Sequence, residues 1–194
     1  IRASGAVTAD GRQLTGISVL DCGHFIAGTF CGAMLADFGA DVIRVERPGG
    51  GSDRFVQPIS DAPETPGGTL YLQLNRNKRS LTLDPFKPES RPVIDRLVKR
   101  ADIVIANFPA ATLEAMGLSY ARLRDLNPRI ILYTCTAYGS QGQLASRPGF
   151  DGIGQAMSGA MHMTGQDGEP RKAHTNYVDY LTAAFSAFGI MAAL

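Results

Sequence analysis

Within thirty residues the chain runs from an apolar segment, Ile17-Ser-Val-Leu-Asp21, through a loop with Gly23 and Gly28, to a second apolar segment, Asp41-Val-Ile-Arg-Val-Glu46. Between them lies a helical stretch at about Phe30–Phe38, stopped by Gly39. Strand, glycine loop, helix and strand make a βαβ unit, which demands parallel strands and a right-handed crossover. The alternation continues. Ser80-Leu-Thr-Leu83 reads as a strand, 89–100 as a helix, Asp102-Ile-Val-Ile-Ala106 as a strand, 110–116 and 119–126 as short helices, and Ile130–Thr134 as a further strand. The expected fold is α/β, a doubly wound, mostly parallel sheet of Rossmann-like type. A length of 194 residues suffices for one such domain. Residues 1–13 read as an N-terminal arm. Residues 47–70, rich in Gly and Pro, read as a loop long enough to be functional or disordered.

Charge and composition remove several function classes. Nineteen basic against 18 acidic residues leave no electrostatic footprint for nucleic acid or an anionic membrane. Cys22, Cys31 and Cys135 are scattered, with no C-x-x-C pair, as expected of reduced thiols in a cytoplasmic protein. His24, His162 and His174 lack metal-ligand spacing, so no metal site is expected. The first ten residues carry no secretory pattern, and the C-terminal apolar stretch is too short to span a bilayer. A start at Ile1 without Met, and a stop inside an apolar helix, suggest a piece of a longer protein.

Four segments carry candidate chemistry, each beside a plainer reading. Gly23, Gly28 and Gly32 follow a strand, but their G-x4-G-x3-G spacing departs from the dinucleotide fingerprint, so neither NAD nor FAD is expected. Asn75-Arg-Asn-Lys-Arg-Ser80 is dense enough in cations to hold phosphate, or is a solvated turn. In Arg147–Gly159, Asp151 is either an acid/base or a cap for the helix that follows, and His162 beyond it lies among methionines. Tyr138 follows a strand end, where ligands bind in such folds. Finally, Tyr177–Leu194 is an apolar helix whose Val178, Leu181, Phe185, Phe188 and Ala192 fall at helical spacing and should pack into a core. Asp179 is its one charge, in the first turn, where backbone N–H groups favour an anion. By position alone it is a nucleophile or an ordinary helix-start acid, and the second is commoner.

Taken in order, several segments resemble the class III CoA-transferases, the group that includes formyl-CoA:oxalate and carnitine CoA-transferases and the α-methylacyl-CoA racemases. They are Leu14-Thr-Gly-Ile-Ser-Val-Leu-Asp21, Ala36-Asp-Phe-Gly-Ala-Asp-Val-Ile-Arg-Val-Glu-Arg-Pro48, Asn75-Arg-Asn-Lys-Arg-Ser-Leu-Thr-Leu-Asp84, Ala101-Asp-Ile-Val-Ile-Ala-Asn-Phe108, Leu126-Asn-Pro-Arg-Ile-Ile131 and the Asp179 helix. The resemblance covers residues 14–194 and only the N-terminal half of a typical member, without the small domain and the returning C-terminal segment. It implies that Asp179 is the catalytic aspartate, forming an acyl anhydride and then an aspartyl-CoA thioester. It implies coenzyme A contacts at Ile26, Ala27, Arg47, Leu83, Asp84, Asn107 and Phe108, and an acyl pocket shaped by Tyr138, Phe150, Met157 and Met161. It also implies oxyanion donors from a glycine loop beyond residue 194, and an interlocked homodimer acting on an acyl-CoA and a carboxylic acid.

Two departures sharpen this. An arginine that some members use for CoA phosphates falls at Ala115, with Lys78, Arg79 and Lys87 as possible substitutes. Where the racemases place a histidine, this chain has Phe150, and an apolar ring is no general base. Transfer is therefore expected over racemisation, which would need His162 or Asp151 as the base. A non-catalytic acyl-CoA-binding fragment is the third reading. No arginine clamp for a dicarboxylate stands out, so the acids exchanged are not legible.

Overall fold

A computed structural model describes residues 11–56 and 67–194, so most of the expected N-terminal arm and the middle of the 47–70 loop lie outside the described residues. Five strands form one sheet: β1 (Ser18–Asp21), β2 (Asp41–Glu46), β3 (Lys78–Thr82), β4 (Ile103–Ile105) and β5 (Ile131–Tyr133). Their order is β3-β2-β1-β4-β5 and all pairings are parallel. The chain is thus doubly wound, with the strand order reversing between β1 and β4 at the point where such sheets bind ligands.

Side chains of the central strands alternate between two faces, and both faces are covered. Val19, Val42, Ile103 and Ile105 face one layer, packed with Cys31, Leu35, Ala183, Ala187 and Ile190. Leu20, Val45 and Val104 face the other, packed with Ile94, Val98, Leu113, Met116 and Leu123. The first layer comes from α1 (Ala27–Asp37) and α8 (Tyr177–Ala193), the second from α3 (Arg91–Val98), α4 (Ala110–Met116) and α5 (Tyr120–Leu126). Two-sided burial is why these strands read as continuous apolar runs. Short helices α2 (Thr69–Leu74), α6 (Asp151–Met157) and α7 (Ala160–Thr164), with 3₁₀ turns at Ser52–Phe55 and Pro88–Ser90, complete the described structure. α1 begins three residues earlier than its apolar spacing suggests, and Gly39, at φ +100°, closes it as expected.

The C-terminal helix corrects the sequence reading. Leu181, Phe185 and Phe188 do not pack into a core: they are 53%, 73% and 70% exposed. The buried stripe is Ala183, Ala187 and Ile190. α8 lies against α1, and methyl-sized side chains let the two helices approach closely. The helix is apolar all round, so periodicity of its large residues selected the wrong face.

Acidic side chains take up the basic cluster at the start of β3, one in the interior and two at the surface. Lys78 Nζ donates to Asp21 Oδ2 at 2.7 Å and to the Thr29 carbonyl at 2.7 Å. Arg79 pairs with Asp41 at 2.6 Å, and Arg76 and Asn77 both bond Asp37. Inside, Arg44 joins Asp53 (2.9 Å), Asp21 (3.5 Å) and the Gly23 carbonyl. Burial lowers the Lys78 pKa, opposed by the charge of Asp21. The cluster fastens the β3 edge to β2 and α1. Lys78 is therefore committed to Asp21 in the interior, while Arg79 holds Asp41 at the surface.

Candidate active site

The loops after β1 and β4 are joined at the strand-order reversal by one side chain. Asn107 Oδ1 accepts from the His24 N–H at 2.6 Å, while its Nδ2 donates to the His24 carbonyl at 2.8 Å. The glycines serve this approach. A Cβ on Gly28 would stand 2.6 Å from Asn107 Oδ1, and one on Gly23 2.9 Å from the Gly28 carbonyl carbon. Their irregular spacing suits loop packing. Phe25, held at φ +52°, then turns back along the loop, in a conformation uncommon for a bulky residue.

Beside this junction opens a cavity of about 290 Å³. Its wall brings together Ile26, Ala27, Asn107, Phe108, Phe150 and Asp179, six of the residues that the resemblance implies. Among the wall residues that sequence reasoning did not single out as such, His24, Cys135 and Arg147 carry chemistry. The first two follow strand ends directly, the signal that could have found them. Arg147 is exposed and has no carboxylate partner among the described residues. The Phe25 and Phe150 rings meet edge to face at 5.4 Å.

A second cavity, about 230 Å³, shares His24 and Phe108 with the first and is lined further by Arg44, Arg47 and Phe86. The His24 and Phe108 rings stack between the two, with centroids 6.1 Å apart. Burial pulls the His24 pKa down, against the pull of Asp53. Arg47 Nε donates to the Gly50 carbonyl at 3.2 Å. Leu83 and Asp84 line neither cavity. Leu83 packs on the β-sheet core, and Asp84 Oδ1 accepts from the Phe86 N–H at 3.1 Å. Tyr138, Met157 and Met161 also lie off both walls. Near Ala115, Arg91 Nη2 donates to the Ala115 carbonyl at 3.3 Å, which places a guanidinium at the residue where an arginine is missing.

Asp179 stands in the first turn of α8, half-buried, and its carboxylate makes no hydrogen bond among the described residues. Its pKa is pushed up to about 6, first by burial and then by the charge of Asp151, with Lys172 opposing. Cys135 beside it is held in the thiol form, chiefly by burial. Burial likewise raises Cys22 and Cys31 to about 12, so both are inert core thiols. The N–H groups expected to favour Asp179 go elsewhere. Val178 N and Asp179 N donate to Asp151 Oδ2 at 2.8 and 3.3 Å. Asp151, 3% exposed, thus caps α8 and not the helix that it begins. The arrangement offers a half-buried carboxylate of raised basicity at the mouth of an apolar cavity, a competent nucleophile for an acyl carbon. Among the described residues no group of three or more His, Cys, Asp or Glu converges as metal ligands, and no helix is long and apolar enough to cross a membrane.

The family model for CoA-transferase family III matches residues 14–194. A succinate–glutarate CoA-transferase of Agrobacterium fabrum is 43% identical over 188 residues, covering 93% of this chain and 46% of that protein. A succinyl-CoA:mesaconate CoA-transferase of Haloarcula hispanica is 41% identical over 187 residues, 93% of this chain and 47% of its own length. The crystal structure of a CAIB/BAIF family protein from Brucella suis superposes with a TM-score of 0.87 at 37% identity, over 94% of this chain and 49% of that one. The chain spans about half the length of the curated relatives it matches.

Proposed function

The chain belongs to CoA-transferase family III, and from that premise we propose that it carries the nucleophile and coenzyme A half-site of an enzyme that moves CoA between small dicarboxylic acids. One observation carries the reading: Asp179 presents an unbonded, half-buried carboxylate to the cavity that gathers Ile26, Ala27, Asn107, Phe108 and Phe150. An Asp179 oxygen attacks the thioester carbonyl of the donor, and the C–S bond breaks to release CoA thiolate. The thiolate attacks the Asp179 carbonyl of the resulting anhydride, and the donor acid leaves as its carboxylate. The acceptor carboxylate then displaces CoA from the aspartyl thioester, and the thiolate attacks the acceptor's acyl carbon, restoring Asp179. One difficult exchange becomes four acyl-transfer steps, and the apolar walls keep water from the anhydride.

Two adjoining cavities suit a long ligand. In this reading the nucleotide end lies toward Arg47, with Arg91 supplying the guanidinium at Ala115, and the pantetheine arm passes the His24–Phe108 pair to reach Asp179. Arg147, on the wall of the Asp179 cavity and without a carboxylate partner among the described residues, suits the far carboxylate of a dicarboxylic acid. That fits the succinate, glutarate and mesaconate in the relatives' names. The exposed Leu181, Phe185 and Phe188 face supports an intact protein whose α8 is covered, as in an interlocked dimer.

Intact-protein mass spectrometry of the full-length protein with succinyl-CoA and hydroxylamine tests the route. A hydroxamate on Asp179, lost in Asp179→Asn, is the expected result. No adduct in the parent protein, with exchange still proceeding, would sink it. One observation favours a second reading: His24, kept neutral by burial, shares the cavity with Asp179 and could exchange an α-proton with it. Solvent deuterium entering the acyl α-carbon without an adduct would select that reading. His162 and Asp151, the bases considered from sequence, are off the cavity wall.

A further inference from the structure

α8 starts without a cap of its own. Asn176 stands at the N-cap position, a residue type suited to the task, yet it makes no side-chain cap bond, and its Oδ1 accepts from Lys172 Nζ at 2.9 Å. The orphan N–H groups of the first turn need acceptors. An acid within that turn would ordinarily supply them, and Asp179 is the acid present. Were it to do so, its lone pairs would be tied to its own backbone and unavailable to an acyl carbon.

We propose that Asp151 is the positioning residue for Asp179: by capping α8 from a different helix, it leaves the Asp179 carboxylate free of backbone and turned to the cavity. Both Asp151 oxygens are engaged. Oδ2 takes the Val178 and Asp179 N–H groups, while Oδ1 takes Gln155 Nε2 and lies 3.4 Å from Lys172 Nζ. Gln155 extends the hold, accepting the Ala173 N–H at 2.8 Å and reaching the Thr175 carbonyl at 3.3 Å. The segment entering α8 is thereby fastened to α6 by side chains that all converge on one buried carboxylate. A 1 Å misplacement of a reacting group costs about 100-fold in rate, so such a fixture is worth having.

The same contact carries a charge effect. The charged and titratable groups around Asp179 are Asp151 from α6, Lys172 from the segment before α8, Cys135 from the end of β5, Tyr180 on α8 itself, and His24 and Arg147 on the shared cavity wall. Asp151 raises the basicity of Asp179 and Lys172 lowers it. Positioning and basicity are therefore separable by substitution.

The proposal rests on Asp179 being the nucleophile, and the full-length protein tests both. The readout is the rate of hydroxylamine-trapped adduct at Asp179 with succinyl-CoA, per folded protein, against pH, together with CoA affinity. Asp151→Ala removes cap and charge, and the expected loss is about 100-fold in adduct rate with CoA affinity unchanged. Asp151→Asn keeps an acceptor for the two N–H groups, so it restores most of that loss and moves the acid limb from about 6 toward the ordinary carboxylate range. An unchanged adduct rate per folded Asp151→Ala protein would overturn the proposal and leave Asp179 as nucleophile. If that variant does not fold, Gln155→Ala, which loosens the hold on the segment entering α8, decides: an adduct rate lowered with CoA affinity unchanged supports the proposal, and an unchanged rate overturns it. No adduct in the parent removes the nucleophile reading, and the proposal with it.

Discussion

Two carboxylate–cation groups sit about the sheet, and they are finished differently. In one, Asp21 meets Lys78 at 2.7 Å and the Gly23 N–H at 2.8 Å, with Arg44 beside it and Asp53 beyond, all at or below 2% exposure. In the other, Asp151 is fully engaged, but Asp179 beside it has no hydrogen bond among the described residues, and its pKa rises to about 6. Buried charge is tolerable only when paired. The first group balances two cations against two carboxylates, leaving Arg44 Nε and Asp53 Oδ1 without a hydrogen bond among the described residues, and locks the sheet edge. The second keeps one carboxylate unsatisfied where a cavity opens, as expected of a reacting group whose basicity is raised by its surroundings.

Substitutions can break this contrast from either side. The largest effect on chemistry is expected at Asp179: Asp179→Asn should lower CoA exchange by about 10⁴-fold or more while leaving circular dichroism unchanged, as loss of a nucleophile does. The largest effect on stability is expected at the other group. Asp21→Asn leaves Arg44 and Lys78 facing a neutral amide and should cost about 3–5 kcal/mol in denaturant unfolding. Arg147→Met should reduce kcat/KM for succinyl-CoA about 10- to 100-fold relative to a monocarboxylic acyl-CoA, measured on the full-length protein.

Acidity provides a further contrast. Because Asp179 binds its proton more tightly when folded, the fold is favoured as pH falls through about 6 toward 3.8, and that advantage is absent at neutral pH. Adduct formation runs the opposite way, falling below about 6 as the carboxylate protonates. Asp179→Asn should accordingly stabilise the folded state at pH 7 by about 1 kcal/mol after allowing for solvent screening, or roughly 2–4 °C in Tm. A neutral or lower Tm would show that the carboxylate is not strained by its site. The smallest effect belongs to the surface pair: Arg79→Ala, facing Asp41 in water, should change stability by no more than about 0.5 kcal/mol in the same unfolding assay.

The sheet was readable because two-sided burial writes itself as uninterrupted apolar runs, and β1, β2, β4 and β5 fall within a residue or so of where those runs lie. The face of α8 was not readable, since Leu181, Phe185 and Phe188 have the stronger helical periodicity and Ala183 and Ala187 the closer contacts. Lys78 and Arg79 looked like a phosphate grip because a pattern of cations does not disclose the acids that the fold brings to them, Asp21 from β1 and Asp41 from β2. Asp179 was visible as the one charge in an apolar helix. The capping role of Asp151 was not, because its partners lie 27 and 28 residues along the chain, and Asn176 is the more obvious cap.

The close seat of α8 gives the reacting carboxylate a mechanical address. Ala183 and Ala187 have no exposed surface, and α6 crosses at Gly154, where an added Cβ would stand 2.7 Å from Val178 Cγ1. A helix rises 1.5 Å per residue, so Ala187 lies about 12 Å along the rod from Asp179. Enlarging it would tilt the rod about Ala183 as a lever tilts about its fulcrum, and the displacement would surface at the far end. The tolerance of the chemistry is thus set by atoms that are missing, at two plain alanines and not at the visible phenylalanines.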